Sequence, residues 1–294
     1  MQMRRKLTIR ELVNEAKKGS AEAQSDLGYR YENGDGVKQS YQEAAKWYAL
    51  AAEQGENNAQ NNLGTMYEWG HGVEVDLKKA FELYTKSAEQ GNPQAQFNLA
   101  NMYLRGAGTE IDNGEAAKWN RKAAEQGHPM AMCNLGAAYD GGYGVEVDFE
   151  EAFKWTKLSA ANNTPVAQYN LGMMYLCGRG TDVDMDEAVR YLRLSANQRC
   201  PFALFELGRL HTEGVGLEKD EKAAQRYFRM ASQQNLLEEI EFGAQIGQYA
   251  DQFYLAWMYE HGVYVEKDPD AARDLYSKSA AQGFSLAEEA LARL

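Results

Sequence analysis

The 294-residue sequence has little proline, cysteine or histidine, with 5, 3 and 4 residues of these types. The irregular spacing of Cys133, Cys177 and Cys200 excludes a regular disulfide framework and favours buried, reduced thiols. The histidines lie too far apart to form a metal-ligand pair, and no Cys or Ser has a recognisable catalytic base at a diagnostic spacing. The sequence therefore predicts a protein with no catalytic residue, no bound metal and no cofactor.

Long apolar runs are also missing. No stretch approaches the roughly 20 residues that cross a bilayer, and the basic N-terminal residues 1–19 lack the apolar segment and cleavage site of a signal peptide. The net charge of −12 argues against nucleic acid and against a membrane surface as partners, and weakly favours a basic protein or peptide. We therefore expect a cytoplasmic protein.

A repeat of 36 residues dominates what is present. The segment Ala23–Tyr31 occurs six times in register, counting the first copy, and a seventh copy arrives 12 residues late. Fixed self-similarity at this period indicates a solenoid in which each unit stacks on its neighbours. We number the columns of the repeat from its first residue, which is in turn Ala23, Ala59, Ala95, Ala131, Ala167, Ala203 and Asp251.

Each repeat contains two runs of apolar and small residues at helical spacing. In the second repeat the first run is Ala59, Leu63, Gly64 and Tyr67, and the second run extends over residues 80–88. Both runs place these residues on one face of a helix. Each repeat is therefore predicted to be a helical hairpin.

Glycine and acidic residues mark the ends of these helices. The first glycine of a G-x-G loop occurs in all seven units, from Gly34 to Gly262, and suits a left-handed C-cap. A phosphate-binding loop would need a preceding strand and a third glycine. Asp76 and its counterparts are predicted N-caps, and four such residues precede a Glu in capping-box spacing: Ser40, Asp112, Asp148 and Asp184. Part of the acidity thus has a structural role and says less about the partner.

The string A-Q-x-N-L-G-x-M-Y, then G-x-G-V, D-x-x-x-A-x-x-x-Y and S-A-E-Q-G, at residues 59–91, resembles the Sel-1-like repeat. The resemblance covers residues 23–286. It implies an all-α, right-handed superhelical solenoid of helix-turn-helix repeats related to tetratricopeptide repeats, with first helices lining a concave face. It also implies a non-enzymatic scaffold or adaptor for protein–protein interaction, commonly in bacteria.

We expect one solenoid domain over residues 1–294. Its predicted parts are an N-terminal capping helix at 8–22, six repeats at 23–238, an insertion at 239–250, a seventh repeat at 251–286 and a C-terminal cap at 287–294. The apolar residues around the insertion predict either that the second helix of unit six continues or that a short extra helix forms. Either form would remodel the groove or bind a partner itself, unless the insertion is neutral.

Partner-binding residues are expected in columns 3, 4, 7, 10 and 11, by analogy with tetratricopeptide arrays. Column 4 contains an asparagine ladder, whose amides can hold an extended peptide backbone or, alternatively, bond a neighbouring helix: Asn62, Asn98, Asn134 and Asn170. Columns 3 and 7 contain apolar, aromatic and Arg residues typical of interface hot spots, with packing between repeats as the alternative: Phe97, Tyr169, Phe205, Arg209, Phe253 and Trp257.

Two other functions stay open at this point. A regulatory or immunity-type protein would sequester one folded partner. A cell-wall or β-lactam hydrolase, an activity suggested for some relatives of the repeat, would need a nucleophile and a base that the sequence does not reveal.

Overall fold

The computed structural model describes residues 7–294, and all regular structure within that range is helical. The basic residues 1–6, the start of the segment considered as a signal peptide, lie outside the described part. The chain divides into two compact units, which end and begin at Asp148 and Phe149. Each unit is a stack of helical hairpins, so the predicted all-α solenoid fold is confirmed.

The first unit contains a lone helix followed by three hairpins and the first helix of a fourth. We call the first and second helices of each repeat A and B. The helices are α1 Ile9–Lys17, α2 Ala21–Asn33, α3 Tyr41–Glu53, α4 Asn57–Trp69, α5 Leu77–Glu89, α6 Pro93–Arg105, α7 Asn113–Glu125 and α8 Pro129–Gly141.

The second unit begins with the B helix of the fourth repeat and contains one helix that the period does not predict. Its helices are α9 Phe149–Ala161, α10 Pro165–Cys177, α11 Met185–Asn197, α12 Pro201–Glu213, α13 Glu221–Ser232, α14 Leu236–Gln245, α15 Tyr249–His261, α16 Pro269–Ala280 and α17 Ser285–Arg293. The A helices are α10, α12 and α15, and α14 is the extra helix.

The helix ends follow the expected capping chemistry, with one correction. Every A helix ends at a left-handed glycine with φ between 63° and 74°. Ser40, Asp112 and Asp184 accept the predicted N-cap bonds. The reciprocal half of the capping box is replaced, because the Glu side chains bond the cation one turn further on, in the pairs Glu43–Lys46, Glu115–Lys118 and Glu187–Arg190.

A buried glutamine in column 2 joins three helices in several repeats. The amide nitrogen of Gln60 donates to Ala52 O of α3 at 3.3 Å, while its oxygen accepts from Gln90 of α5 at 2.7 Å. The same pair of glutamines recurs at Gln24–Gln54, Gln96–Gln126, Gln168–Gln198 and Gln252–Gln282. Since a buried amide needs partners, these contacts fix the register between successive hairpins.

The insertion forms the separate helix α14, which is the second of the two forms predicted from its sequence. Asn235, in a left-handed conformation with φ 55°, separates it from α13. Gln252 donates to Ala244 O of α14, as Gln60 donates to Ala52 O of α3. Gly247, which follows α14, has φ 90°, and Gly55, which follows α3, has φ 86°. The extra helix therefore takes the position of a B helix against which α15 packs.

Asp251 makes the contact between α14 and α15 sensitive to pH. It occupies the column that is Ala in the other repeats, and its carboxylate lies directly on Gly243 of α14. Burial, with a smaller contribution from Glu239, raises the pKa of Asp251 from its ordinary 3.8 to about 7. The folded chain therefore keeps a proton that the unfolded chain has lost, so stability falls as pH rises from about 4 to 7.

We predict that Asp251→Ala and Asp251→Asn stabilise the second unit at pH 8 by about 2 kcal/mol, a value discounted for partial solvent screening. Urea unfolding at pH 5 and pH 8 measures the effect. Asn preserves the side-chain shape and removes the charge, whereas Ala changes both. Comparison of the two variants therefore separates the effect of the charge from the effect of side-chain size. An unchanged difference between the two pH values in Asp251→Asn would contradict the assignment.

Candidate functional site

A groove on the A-helix face of the first unit lies between α4 and α6. Its volume is about 590 Å³, within the range typical of ligand sites. We call it the α4–α6 groove, and it is lined by Asn61, Thr65, Glu68, Trp69, Tyr84, Gln94, Phe97, Asn98, Asn101, Leu104 and Arg105. Two of the residues predicted from the sequence, Phe97 and Asn98, are among these.

Apolar side chains stand at the edge of the groove. Trp69 is 60% exposed and Leu104 is 38% exposed, while Phe97 is half-buried and stacks on His128 with ring centroids 4.6 Å apart. An exposed tryptophan beside a depression is typical of interaction surfaces. The repeat places column 11 on this face, but the neighbours of Trp69 in that column, Asn33 and Arg105, set no aromatic pattern that would single it out.

A neutralised polar network lies below that edge. The carboxylate of Glu68 accepts from the Tyr84 hydroxyl at 2.7 Å and pairs with Arg105 at 2.5 Å. Burial raises the pKa of Tyr84, so its hydroxyl stays protonated and donates. The groove therefore has no unpaired charge on this side, and it favours apolar and neutral hydrogen-bonding groups over a strongly basic peptide.

Side-chain amides cross between the A helices. Asn98 Nδ2 donates to Asn61 Oδ1 at 3.0 Å, and Asn134 Nδ2 donates to Asn101 Oδ1 at 3.2 Å. Asn61 also donates to Asn62 at 3.1 Å. Asn98 and Asn134 thus bond neighbouring helices, as the alternative interpretation expected. Whether the four ladder asparagines, including Asn170 on α10, also hold a partner backbone stays a prediction.

The C-terminal aromatic residues lie in the core of the second unit. Phe205, Phe253 and Trp257 are 0%, 1% and 0% exposed, and Arg209 is 3% exposed. Phe205 and Trp257 meet edge to face with centroids 5.5 Å apart. Their predicted contact with a partner is therefore corrected to packing, because these side chains present almost no surface from which to bind.

The helix α15 is the reason for this burial. It reaches past α12 to α10, where the hydroxyls of Tyr254 and Tyr169 lie 2.6 Å apart, and Arg179 donates to the Tyr249 hydroxyl at 2.8 Å. Column 3 of repeat five therefore touches repeat seven. Tyr169, another predicted partner residue, is half-buried under this contact. The chain itself thus covers the A-helix face of the second unit around Tyr169 and Tyr254.

A buried charge network accompanies this packing. Arg209 lies 2.6 Å from both Glu206 and Glu213, and Trp257 Nε1 donates to Glu213 at 2.7 Å. Burial lowers the pKa of Arg209, but the two carboxylates outweigh that effect and raise it above its ordinary value. Arg209 is therefore a permanent cation held between two acids, as buried charges require.

Two of the three thiols are poorly suited to nucleophilic chemistry. Burial raises the pKa of Cys133 to about 11 and that of Cys177 to about 12. Both are therefore protonated near neutral pH, whereas the reactive form of cysteine is the thiolate.

No helix within residues 7–294 combines the length and the apolar character needed to cross a membrane.

Comparison with family models finds the Sel1 repeat seven times. The matched segments are residues 21–56, 57–92, 93–128, 129–163, 165–200, 201–236 and 250–284. These matches cover most of the chain and leave out the segment that contains most of α14. Comparison with curated proteins finds no match.

Solved structures with the same repeat resemble the chain. The c5321 protein, a protective antigen of uropathogenic Escherichia coli with an SLR fold, is 32% identical over 97% of this chain and 67% of its own, with a TM-score of 0.71. A Sel1 repeat protein from Oxalobacter formigenes is 32% identical over 76% of this chain and 89% of its own, with a TM-score of 0.70. The immunity protein Pa5087 from Pseudomonas aeruginosa is 24% identical over 72% of this chain and 81% of its own, with a TM-score of 0.44.

Proposed function

The chain belongs to the Sel1 repeat family, and from that premise we propose that it is a non-enzymatic scaffold that binds an extended segment of a partner protein in the α4–α6 groove. Proteins of this family are generally protein-interaction scaffolds. The observation that carries the proposal is an open groove of about 590 Å³ with the 60% exposed Trp69 at its edge.

The difference between the two A-helix faces supports this choice of site. In the second unit, Tyr254 and Trp257 of α15 already fill the space where a ligand would lie. In the first unit, α4 and α6 leave the corresponding columns lining an open groove. A partner would therefore find accessible anchoring groups at Trp69, Phe97 and Leu104.

In the proposed binding mechanism, apolar side chains provide affinity and side-chain amides orient the partner segment. Apolar side chains of the partner would pack on Trp69 and Leu104, where removing exposed apolar surface from water provides affinity. Amides such as Asn98 and Gln94, which bond each other at 3.0 Å, retain further donor and acceptor capacity for a peptide backbone. The partner is expected to be largely apolar along the bound segment and need not be basic, because Glu68 is already paired with Arg105.

We predict that Trp69→Ala and Phe97→Ala each weaken binding at least tenfold, about 1.4 kcal/mol. Peptides selected on the wild-type protein from a phage-displayed random library serve as the probe, and fluorescence anisotropy gives their affinity. Asn98→Ala/Asn134→Ala tests the ladder separately. Unchanged affinity in this double variant would remove the ladder from the mechanism.

Phe242→Ala is the matched control, since Phe242 is 63% exposed on α14 and lies in the other unit. It should leave the affinity unchanged. The proposal fails if the library yields no binder, or if the selected peptides bind equally well to wild type, Trp69→Ala and Phe97→Ala.

A further inference from the structure

A second cavity lies next to the α4–α6 groove, on the side of α7 and α8. Its volume is about 360 Å³, and its lining includes Leu104, Asn120, Asn134, Ala137, Ala138 and Tyr143. Leu104 lines both cavities. The two cavities therefore adjoin at this side chain. We call this second cavity the Asn120 pocket.

In the two preceding repeats, a tyrosine of the B helix fills the equivalent space. The ring of Tyr48 lies on Gly28, where an added Cβ would come within 2.7 Å of it, and its hydroxyl donates to Glu32 at 2.7 Å. Tyr84 repeats this arrangement on Gly64, with its hydroxyl on Glu68. A glycine, a tyrosine and a glutamate thus form one recurring unit of packing.

The third repeat lacks all three of these residues. By register, Ala100 replaces the glycine, Leu104 replaces the glutamate and Asn120 replaces the tyrosine. No ring fills the space, and the pocket remains. Asn120 is 2% exposed, and its Oδ1 is buried without a hydrogen-bond partner. Such an unsatisfied acceptor costs stability until a donor reaches it.

We infer that the Asn120 pocket receives a tyrosine side chain from the bound partner segment, which takes the place that Tyr48 and Tyr84 occupy in their own repeats. This inference rests on the proposed function and specifies the residue that the partner must supply. The ring packs against Leu104 and the alanines of α8. Its hydroxyl donates to Asn120.

The lining distinguishes a phenol from other side chains. A phenylalanine would fill the apolar part and leave Asn120 Oδ1 unsatisfied. A lysine or arginine would lose hydration without meeting a carboxylate, because leucine stands at position 104 where the first two repeats have Glu32 and Glu68. A neutral aromatic group with one hydroxyl donor matches both the shape and the acceptor.

The test uses p-cresol, the side chain of tyrosine, and toluene, the same molecule without its hydroxyl. Nitrogen–proton NMR spectra follow the Asn120 side-chain amide and the backbone amides of Ala137 and Ala138. For a ligand of this size we expect a dissociation constant of about 1 mM for p-cresol, with toluene about 5- to 10-fold weaker.

Two variants separate shape from hydrogen bonding. Asn120→Leu should bind p-cresol and toluene equally, because it keeps the volume and removes the acceptor. Ala100→Gly/Asn120→Tyr restores the glycine and the tyrosine ring of the first two repeats, fills the pocket from within, and should bind neither probe. Circular dichroism establishes that each variant is folded, and if the double variant unfolds, Asn120→Leu alone decides.

The outcomes also separate this inference from the proposed function. Failure of p-cresol to perturb the Asn120 amide, or equal binding of both probes to wild type, overturns the inference even if selected peptides still depend on Trp69. Binding of p-cresol as expected, with no peptide binder found, overturns the proposed function while the pocket stands. Support for both also requires a tyrosine in the selected peptides whose replacement by phenylalanine weakens binding to wild type and not to Asn120→Leu.

Discussion

Arg209→Met is expected to lower the free energy of unfolding of the second unit by about 3–5 kcal/mol. The substitution preserves much of the side-chain volume and leaves Glu206, which is 0% exposed, without the guanidinium 2.6 Å away. An uncompensated charge in the core has neither water nor a counter-ion. Urea unfolding measures the loss, and hydrogen exchange of the α12 and α15 amides locates it.

Two further variants make this prediction specific. Arg190→Met removes an ion pair of the same spacing, Arg190 with Glu187, whose side chains are 50% and 35% exposed. It should cost less than about 1 kcal/mol. Glu206→Leu/Arg209→Met removes both buried charges and should recover most of the loss. Equal costs for Arg209→Met and Arg190→Met would show that burial is not the cause.

Gly108→Ala is expected to destabilise the first unit by about 3–4 kcal/mol. Gly108 has φ 71°, which already disfavours a side chain, and an added Cβ would overlap the carbonyl of Leu77 at the start of α5. The loop after one A helix therefore rests directly on the backbone of the preceding repeat. Thermal and urea unfolding of the variant measure the combined cost of backbone strain and overlap.

Gly91→Ala isolates the strain, because Gly91 has φ 91° and no atom within 4 Å of the added Cβ. It should cost about 1–2 kcal/mol. The excess in Gly108→Ala is then the cost of the contact between repeats. Equal losses in the two variants would mean that the loop moves away from α5 without penalty.

The two units of the chain treat the same repeat face differently. In the second unit the extra helix α14 carries α15 to a position where Tyr254 meets Tyr169. In the first unit the groove beside Trp69 stays open, and a second cavity lies next to it at Asn120, where the first two repeats have tyrosine. We therefore expect partner binding to depend on the first unit, with the second unit contributing stability.

The sequence predicts which columns of the repeat face the groove side, but not which residues of those columns stay exposed. Columns 3, 4 and 11 contain Phe97, Asn98 and Trp69, which line one groove. The same columns also pointed to Phe205, Arg209, Phe253 and Trp257, which are buried. A column predicts which side of its own hairpin a residue faces. It does not predict what a distant hairpin places over that side.

The sequence alone determined the fold family, the seven hairpins and the helix ends. These features depend on local interactions, namely helical spacing of apolar residues, N-cap acids and left-handed glycines. Each signal recurs in successive repeats, so the sequence alone identifies it. Tertiary structure alone decided which repeat faces stay open. One inserted helix redirects all that follows it, and one missing tyrosine ring leaves a space that only its neighbours' positions reveal.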